Sequence, residues 1–396
     1  MSASDPRLEF GPVSVDPPRL ALSEPWPRAA LVLVVLGLAT AASGVVWSPR
    51  RAWSNLLLAE AYVLGLALAG ALLLCIHHLT GAGWSAAVRR VPEAMMGGLP
   101  AFALLALPLL LARPILFPAP LPEDGAWVKA HFMGTPLVAL RSVVILAAWV
   151  LLARALRRLS LRQDAQPGRD AHRRLVRLSA VFVPVLAVSL TLASVDWLMA
   201  LAPGWTSTAF TVYVFAGLMV SGLAALTLIV IALERGRLHG VIGPGHLHDL
   251  GTLLFTFSTF WAYIWLSQYL LIWYADLPEE IPHYLRRTEG AWLLPFLLNL
   301  AVNWVLPFAV LLSRAAKRSP RVLAAVCVLL LFGHWLDLYL LIMPETMGGP
   351  ALGPLELLLP AGFAALFALL TARALARAPL LPRGDPFLVE SLERHA

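Results

Sequence analysis

Ten stretches of this chain are each long and apolar enough to cross a bilayer, and that alone removes every soluble fold. They are Ala29–Trp47, Asn55–Ile76, Gly98–Phe117, Pro136–Leu156, Leu175–Val195, Ala209–Leu233, Asp249–Tyr274, Ala291–Leu312, Val322–Met343 and Leu355–Leu375. A helical span needs about 20 mostly apolar residues to cover the hydrocarbon layer. These stretches account for a composition that is 59% hydrophobic and 13% charged over 396 residues, where soluble domains hold about 25% charged residues. A soluble enzyme, a disordered chain and a secreted disulfide scaffold are all excluded. The expected fold class is an all-α polytopic membrane protein with about ten transmembrane helices. Pro108, Pro184, Pro295 and Pro307 lie inside spans, where neighbouring helices can satisfy the freed backbone groups.

Basic residues set the orientation. Of the 30 Lys and Arg, 23 fall on the side that holds both termini and the loops after spans two, four, six and eight; six fall on the other side. The positive-inside rule then places both termini in the cytoplasm. Residues 1–28, Pro-rich and mixed in charge, are expected to form a disordered cytoplasmic tail, residues 29–375 the membrane domain, and residues 376–396 a cytoplasmic C-tail. Spans two to five and six to nine run in the same sense, which allows two four-helix bundles.

Several chemistries are missing from the sequence. Cys75 and Cys327 are the only cysteines, so no disulfide framework or cysteine-based metal site is expected. There is no CxxCH haem-attachment run, no nucleotide-binding glycine motif and no zinc motif. Only His334 lies clearly within a span, whereas a haem-b site needs pairs of histidines. The Arg residues sit in loops rather than along one face, so no nucleic-acid partner is expected. Membrane lipid is the expected surrounding.

Ionisable residues at membrane depth are costly and are functional candidates by default. Glu60 in span two, Arg141 in span four, Asp196 at the end of span five and Asp337 in span nine all lie towards the outer leaflet. Three carboxylates and one guanidinium at similar depth suit a cluster that holds or passes a proton, or binds a quinol. They equally suit a pair that pins two helices together. His334, one turn before Asp337, either joins the network or is a satisfied buried imidazole. Span seven carries a second pattern: Asp249, Thr252, Thr256, Thr259, Tyr263, Ser267 and Tyr274 fall within an arc of about 80°. His246 and His248 stand at its inner end. Such a stripe either orders a water chain for protons or forms a helix–helix seam. Asn299 and Asn303, one turn apart on span eight, could line it.

Three segments resemble one family. The run Ser194-Val-Asp-Trp-Leu-Met-Ala-Leu-Ala-Pro-Gly-Trp-Thr-Ser-Thr208 is similar to its outer-loop element. His248-Asp-Leu-Gly251, Phe260-Trp-Ala-Tyr263 and Ser267-Gln-Tyr-Leu-Leu-Ile-Trp-Tyr-Ala-Asp-Leu-Pro-Glu-Glu280 match a second, and Gly333-His-Trp-Leu-Asp-Leu-Tyr339 with Pro344 a third. Together they resemble the F subunits (ActF) of alternative complex III, within the NrfD/PsrC-like superfamily. The loop Leu79-Thr-Gly-Ala-Gly-Trp-Ser85 with Arg89, Arg90 and Glu93 is similar to that superfamily's loop after its second helix.

The resemblance implies a multi-pass subunit of the bacterial inner membrane, with two four-helix bundles and two further helices, in a respiratory quinol:electron-acceptor oxidoreductase. It implies menaquinol or ubiquinol as the reductant. Haem c and iron–sulfur clusters would be carried by partners: periplasmic multihaem cytochromes c, an iron–sulfur subunit and a paralogous membrane subunit. Asp196, Asp337, Asp249, His248, Tyr263, Ser267 and Gln268 fall on the family's motif positions. His334 stands where the family pattern has Arg. A secondary ion-coupled transporter and a purely structural anchor are the competing readings.

Overall fold

The computed structural model describes residues 20, 26–117, 132–202 and 204–393. Most of the expected N-terminal tail, residues 1–19 and 21–25, lies outside the described residues, as does Pro203 of the first family-like segment. Among the described residues there is no β-strand, and ten helices are long and apolar enough to cross a membrane. They are α1 Trp26–Trp47, α2 Pro49–Thr80, α3 Arg90–Leu111, α4 Thr135–Ala165, α5 Arg169–Leu201, α6 Phe210–Glu234, α7 Pro244–Ala275, α8 Gly290–Leu311, α9 Pro320–Thr346 and α10 Pro354–Ala376. Each expected span coincides with one of them, and most helices run several residues beyond the apolar stretch.

Local chemistry explains several helix ends. Proline occupies the first turn of α2, α4, α7, α9 and α10, where its missing N–H costs nothing and its fixed φ favours helix. Helix α2 stops at Gly81, whose φ of 60° supplies the left-handed cap. Helix α7 stops at Asp276, left-handed at φ 52°, a conformation that Asp tolerates better than most side chains.

Helices α2–α5 pack as one four-helix bundle and α6–α9 as a second; α1 and α10 pair with each other and lean on α2. Helix α2 is central, touching α6 and α9 of the second bundle as well as its own, and 83% of its apolar window is buried. Close approach is bought with small residues. A Cβ on Gly222 of α6 would sit 2.0 Å from the Ala69 Cβ of α2, and one on Gly37 of α1 would sit 2.9 Å from a backbone carbonyl of α10. Where lipid removes the hydrophobic drive between helices, such van der Waals contact is what holds them.

Ten crossings bring both ends of the membrane domain to one side, called here the near side; the other is the far side. Near-side polar contacts tie the segment after α10 into the bundle. Arg89 pairs with Asp385 and Arg90 with Asp164. Arg90 also donates to Glu93 at 2.6 Å, and Ser160 donates to the same carboxylate at 2.5 Å. Leu380, Leu381 and Leu388 are buried, so this part of the expected tail packs against the membrane domain. On the far side, Arg51 grips Glu356 with two hydrogen bonds of 2.8 and 2.6 Å, and Asn55 donates to it at 2.9 Å.

Candidate functional site: a polar core spanning two bundles

The polar core is built around Asp337, buried near the middle of the second bundle. Helix α9 places it nine residues from its far-side end, about 13 Å in. Three side chains from three helices donate to its carboxylate: Tyr213 of α6 and Asn299 of α8 (2.9 Å) to Oδ1, and Trp261 Nε1 of α7 (3.1 Å) to Oδ2. His334 Nδ1 stands 3.9 Å from Oδ2, too long for a hydrogen bond. The network continues along α8, where Asn303 donates to Asn299 Oδ1 at 2.7 Å and Ser258 of α7 donates to the Asn303 carbonyl at 2.5 Å.

Backbone features make room for this arrangement. Residues Ala301–Val305 form a π-helical turn in α8, a distortion often found at functional sites. A Cβ at Gly333 would press to 2.5 Å from Asn303 Oδ1, and one at Gly217 to 2.7 Å from the His334 ring. Both glycines therefore admit polar side chains between closely packed helices.

The five acid-cluster candidates do not close into one hydrogen-bonded group. Arg141 and Asp196 form a bidentate pair through Nε and Nη2, with Arg141 over the Phe132 ring at 4.1 Å. Arg113 reaches the Asp196 backbone carbonyl at 3.4 Å. Glu60 is buried, and neither of its carboxylate oxygens has a hydrogen-bond partner. It lies eleven residues into α2, about 16 Å from the far-side end, deeper than the apolar boundary suggested. Asp337 and His334 make the third group.

Three small cavities with shared lining residues lie beside Glu60 and Asp337. A cavity of about 40 Å³ touches Glu60, Arg113, Ser142 and Trp197. A second, of about 60 Å³, shares Ala61, Leu64 and Trp197 with the first and reaches His334 and Asp337. A third, of about 30 Å³, shares Tyr213, Asp337 and Leu341 with the second and is also lined by Gln268, His283 and Arg287. Each can hold at least one water, which needs about 10–15 Å³ and polar partners.

The far-side end of this row is a cluster that the sequence did not mark. The helix Ile281–Thr288 carries His283 and Arg287 into the bundle. Arg287 donates to Glu345 Oε1 at 3.0 Å and to the carbonyls of Leu340 and Leu341 at 3.0 and 3.2 Å. Arg286, half-exposed, pairs with the other Glu345 oxygen. His283 stacks on Trp205 with centroids 3.9 Å apart and planes within 5°. Burial pushes its imidazole down to about 3 and Arg287 adds to the effect, while Glu345, 3.4 Å away, opposes it. Tyr213, Trp261 and these charges were missed because apolar context makes single aromatics look like core, and loop arginines look like topology signals. The Asn299/Asn303 spacing was the legible clue.

The α7 stripe lies elsewhere. Thr252, Thr256, Thr259 and Ser267 each donate to the carbonyl four residues earlier in their own helix. Tyr263 and Tyr274 are 66% and 86% exposed, so the stripe faces away from the bundles. The opposite face of α7 supplies Ser258 and Trp261 to the polar core, and Gln268 reaches the Ala209 carbonyl at 3.4 Å. At the near-side end His246 is buried, accepting the Gly243 N–H at 3.2 Å and meeting Ser391 Oγ at 3.3 Å. His248 lies 3.9 Å from Asp249. Among the described residues, no group of three or more His, Cys, Asp or Glu is arranged to hold a metal ion. No known family model matches the chain, and no curated protein matches it.

Proposed function

We propose that this chain is a membrane subunit of a quinol-oxidising respiratory assembly of the alternative complex III type, and that it carries protons. The row of cavities from Glu60 through Asp337 to the Arg287–Glu345 cluster is the observation that carries the reading. Burial penalises a negative charge on Asp337, while Tyr213, Trp261 and Asn299 donate to that charge. Opposed influences of this kind suit a group that takes up and releases a proton. Waters in the three cavities would pass it between Glu60, Asp337 and the far side. Arg141, fixed on Asp196, orders the first bundle beside the row.

In this reading the near side is cytoplasmic and the membrane is a bacterial inner membrane. The far side then receives the partners: multihaem cytochromes c, an iron–sulfur subunit and a paralogous membrane subunit, which hold the redox centres. The outward hydroxyl and aromatic stripe of α7 offers a seam for the paralogous subunit. Menaquinol or ubiquinol supplies the electrons and protons.

The family-like segments and the polar core support this assignment over an ion-coupled transporter. Purification from its native membrane in mild detergent tests it. Co-purification with multihaem c-type cytochromes and quinol:acceptor activity is expected. Isolation as a lone homo-oligomer that takes up a solute down an ion gradient would overturn it.

A further inference from the structure

A cleft of about 790 Å³ runs between α1, α2, α6, α9 and α10; its Tyr62 borders the His334 ring, with centroids 5.5 Å apart, but it shares no lining residue with the three cavities of the polar core. Its lining extends along α10 from Glu356 to Leu375, about 28 Å at 1.5 Å per residue. That length matches the hydrocarbon thickness of a bilayer, about 30 Å. One wall is aromatic, with Tyr62 of α2 and Phe332 and Trp335 of α9; α10 contributes Phe367 and the small residues Ala361, Ala364 and Ala368.

The polar groups of the cleft sort by depth. Near its far-side end the Glu356 carboxylate is already held by Arg51 and Asn55, and at mid-depth the Tyr62 hydroxyl is satisfied by the Leu331 carbonyl at 2.9 Å. Near the near-side end Thr371 is buried, and its hydroxyl has no hydrogen-bond partner. Just beyond lies the exposed Arg235, three residues after the lining Ala232 and so on the same side of α6. An apolar space of this size forfeits dispersion contact unless a chain fills it.

We propose that the cleft binds one anionic phospholipid, entering from the near-side leaflet. Its acyl chain lies against Trp335 and Phe367, an ester oxygen meets Thr371 Oγ1, and its phosphate faces Arg235. Basic residues at the membrane surface favour anionic headgroups. An isoprenoid quinone is the competing occupant, with a carbonyl at the unpaired Trp335 Nε1. Among the described residues it would find no free acid to receive its protons, since the one carboxylate lining the cleft there is engaged by Arg51 and Asn55.

Native mass spectrometry of the detergent-purified protein, with extraction of the retained molecule, tests the site. One anionic phospholipid per chain is expected. Ala364→Trp and Ala368→Trp, which plug the cleft, should each cut its occupancy at least tenfold, and Ala364→Leu serves if the larger plugs do not fold. Arg235→Gln should retain lipid but lose the anionic preference. Absence of retained lipid, retention unchanged by all plugs, or recovery of a quinone would each overturn the proposal. The polar core is untouched by these variants, so the outcome is independent of the proton-carrying role.

Discussion

At the scale of single residues, the molecule separates charges that fix structure from charges free to do chemistry. Arg141 and Asp196 belong to the first kind. Each is bidentate with the other and nearly enclosed, with side chains 12% and 1% exposed. Removing one partner strands a buried charge, at a cost of about 3–5 kcal/mol. Arg141→Ala should therefore lower thermal stability in detergent far more than the double variant Arg141→Met/Asp196→Leu, measured by tryptophan fluorescence melting. His283 gives a pH signature. Its folded value is about 3 against an ordinary 6.5, so between those values the undocked chain binds a proton that the docked one does not. Docking of the helix Ile281–Thr288 should weaken as pH falls below about 6.5 and hold steady above it. The groups facing His283 are Tyr284, Arg286 and Arg287 of its own helix, Glu345 of α9 and the stacked Trp205. Hydrogen exchange of residues 281–288 should show the slope, and His283→Gln should flatten it. Arg141 stood out in the sequence by depth alone, and Asp196 by its place at a span end and in a family-like segment. Tyr213, Trp261 and Glu345 did not, because their role depends on partners 124, 76 and 58 residues away.

At the scale of elements, helix positions were readable and helix faces were not. All ten spans coincide with helices because the hydrocarbon layer demands length and apolarity, both written locally. Facing is different, since lipid is as apolar as a neighbouring helix and outward faces carry no polar mark. The α7 hydroxyls show the consequence. Periodicity puts them on one face, yet each bonds back to its own helix, and the apolar-looking opposite face holds Ser258 and Trp261. Small residues carry more information than the stripe does. At Gly222 even a Cβ would overlap Ala69, so Gly222→Leu should force α2 and α6 apart. Overpacking of this kind costs about 1–3 kcal/mol or more, and the melting temperature should fall accordingly. Gly348, with open space around it and no left-handed backbone, makes a suitable control position on the far side.

At the scale of the whole molecule, two bundles share one polar row, and α2 is the hinge-free wall between them. Glu60 hangs from α2 into the first bundle while Asp337 sits in the second, and the linking cavity is lined from α2, α4, α5, α6 and α9. Some of the basic residues on the near side also fix structure. There Arg89 and Arg90 are committed to Asp385, Glu93 and Asp164, so the segment after α10 is clamped rather than trailing. Asp385→Asn should release that segment and raise protease cleavage between residues 377 and 393, leaving the spans intact. Cysteines placed near either terminus should react with membrane-impermeant reagent only from the cytoplasmic side if the basic-residue bias sets orientation. The central claim is that Asp337 carries protons, and the most direct measurement is proton translocation per quinol oxidised by the intact assembly in sealed vesicles. With Asp337→Asn, which keeps the shape but not the proton-binding carboxylate, translocation should fall at least tenfold while assembly and haem content are unchanged. Translocation and quinol turnover both equal to those of the unaltered assembly would contradict the account.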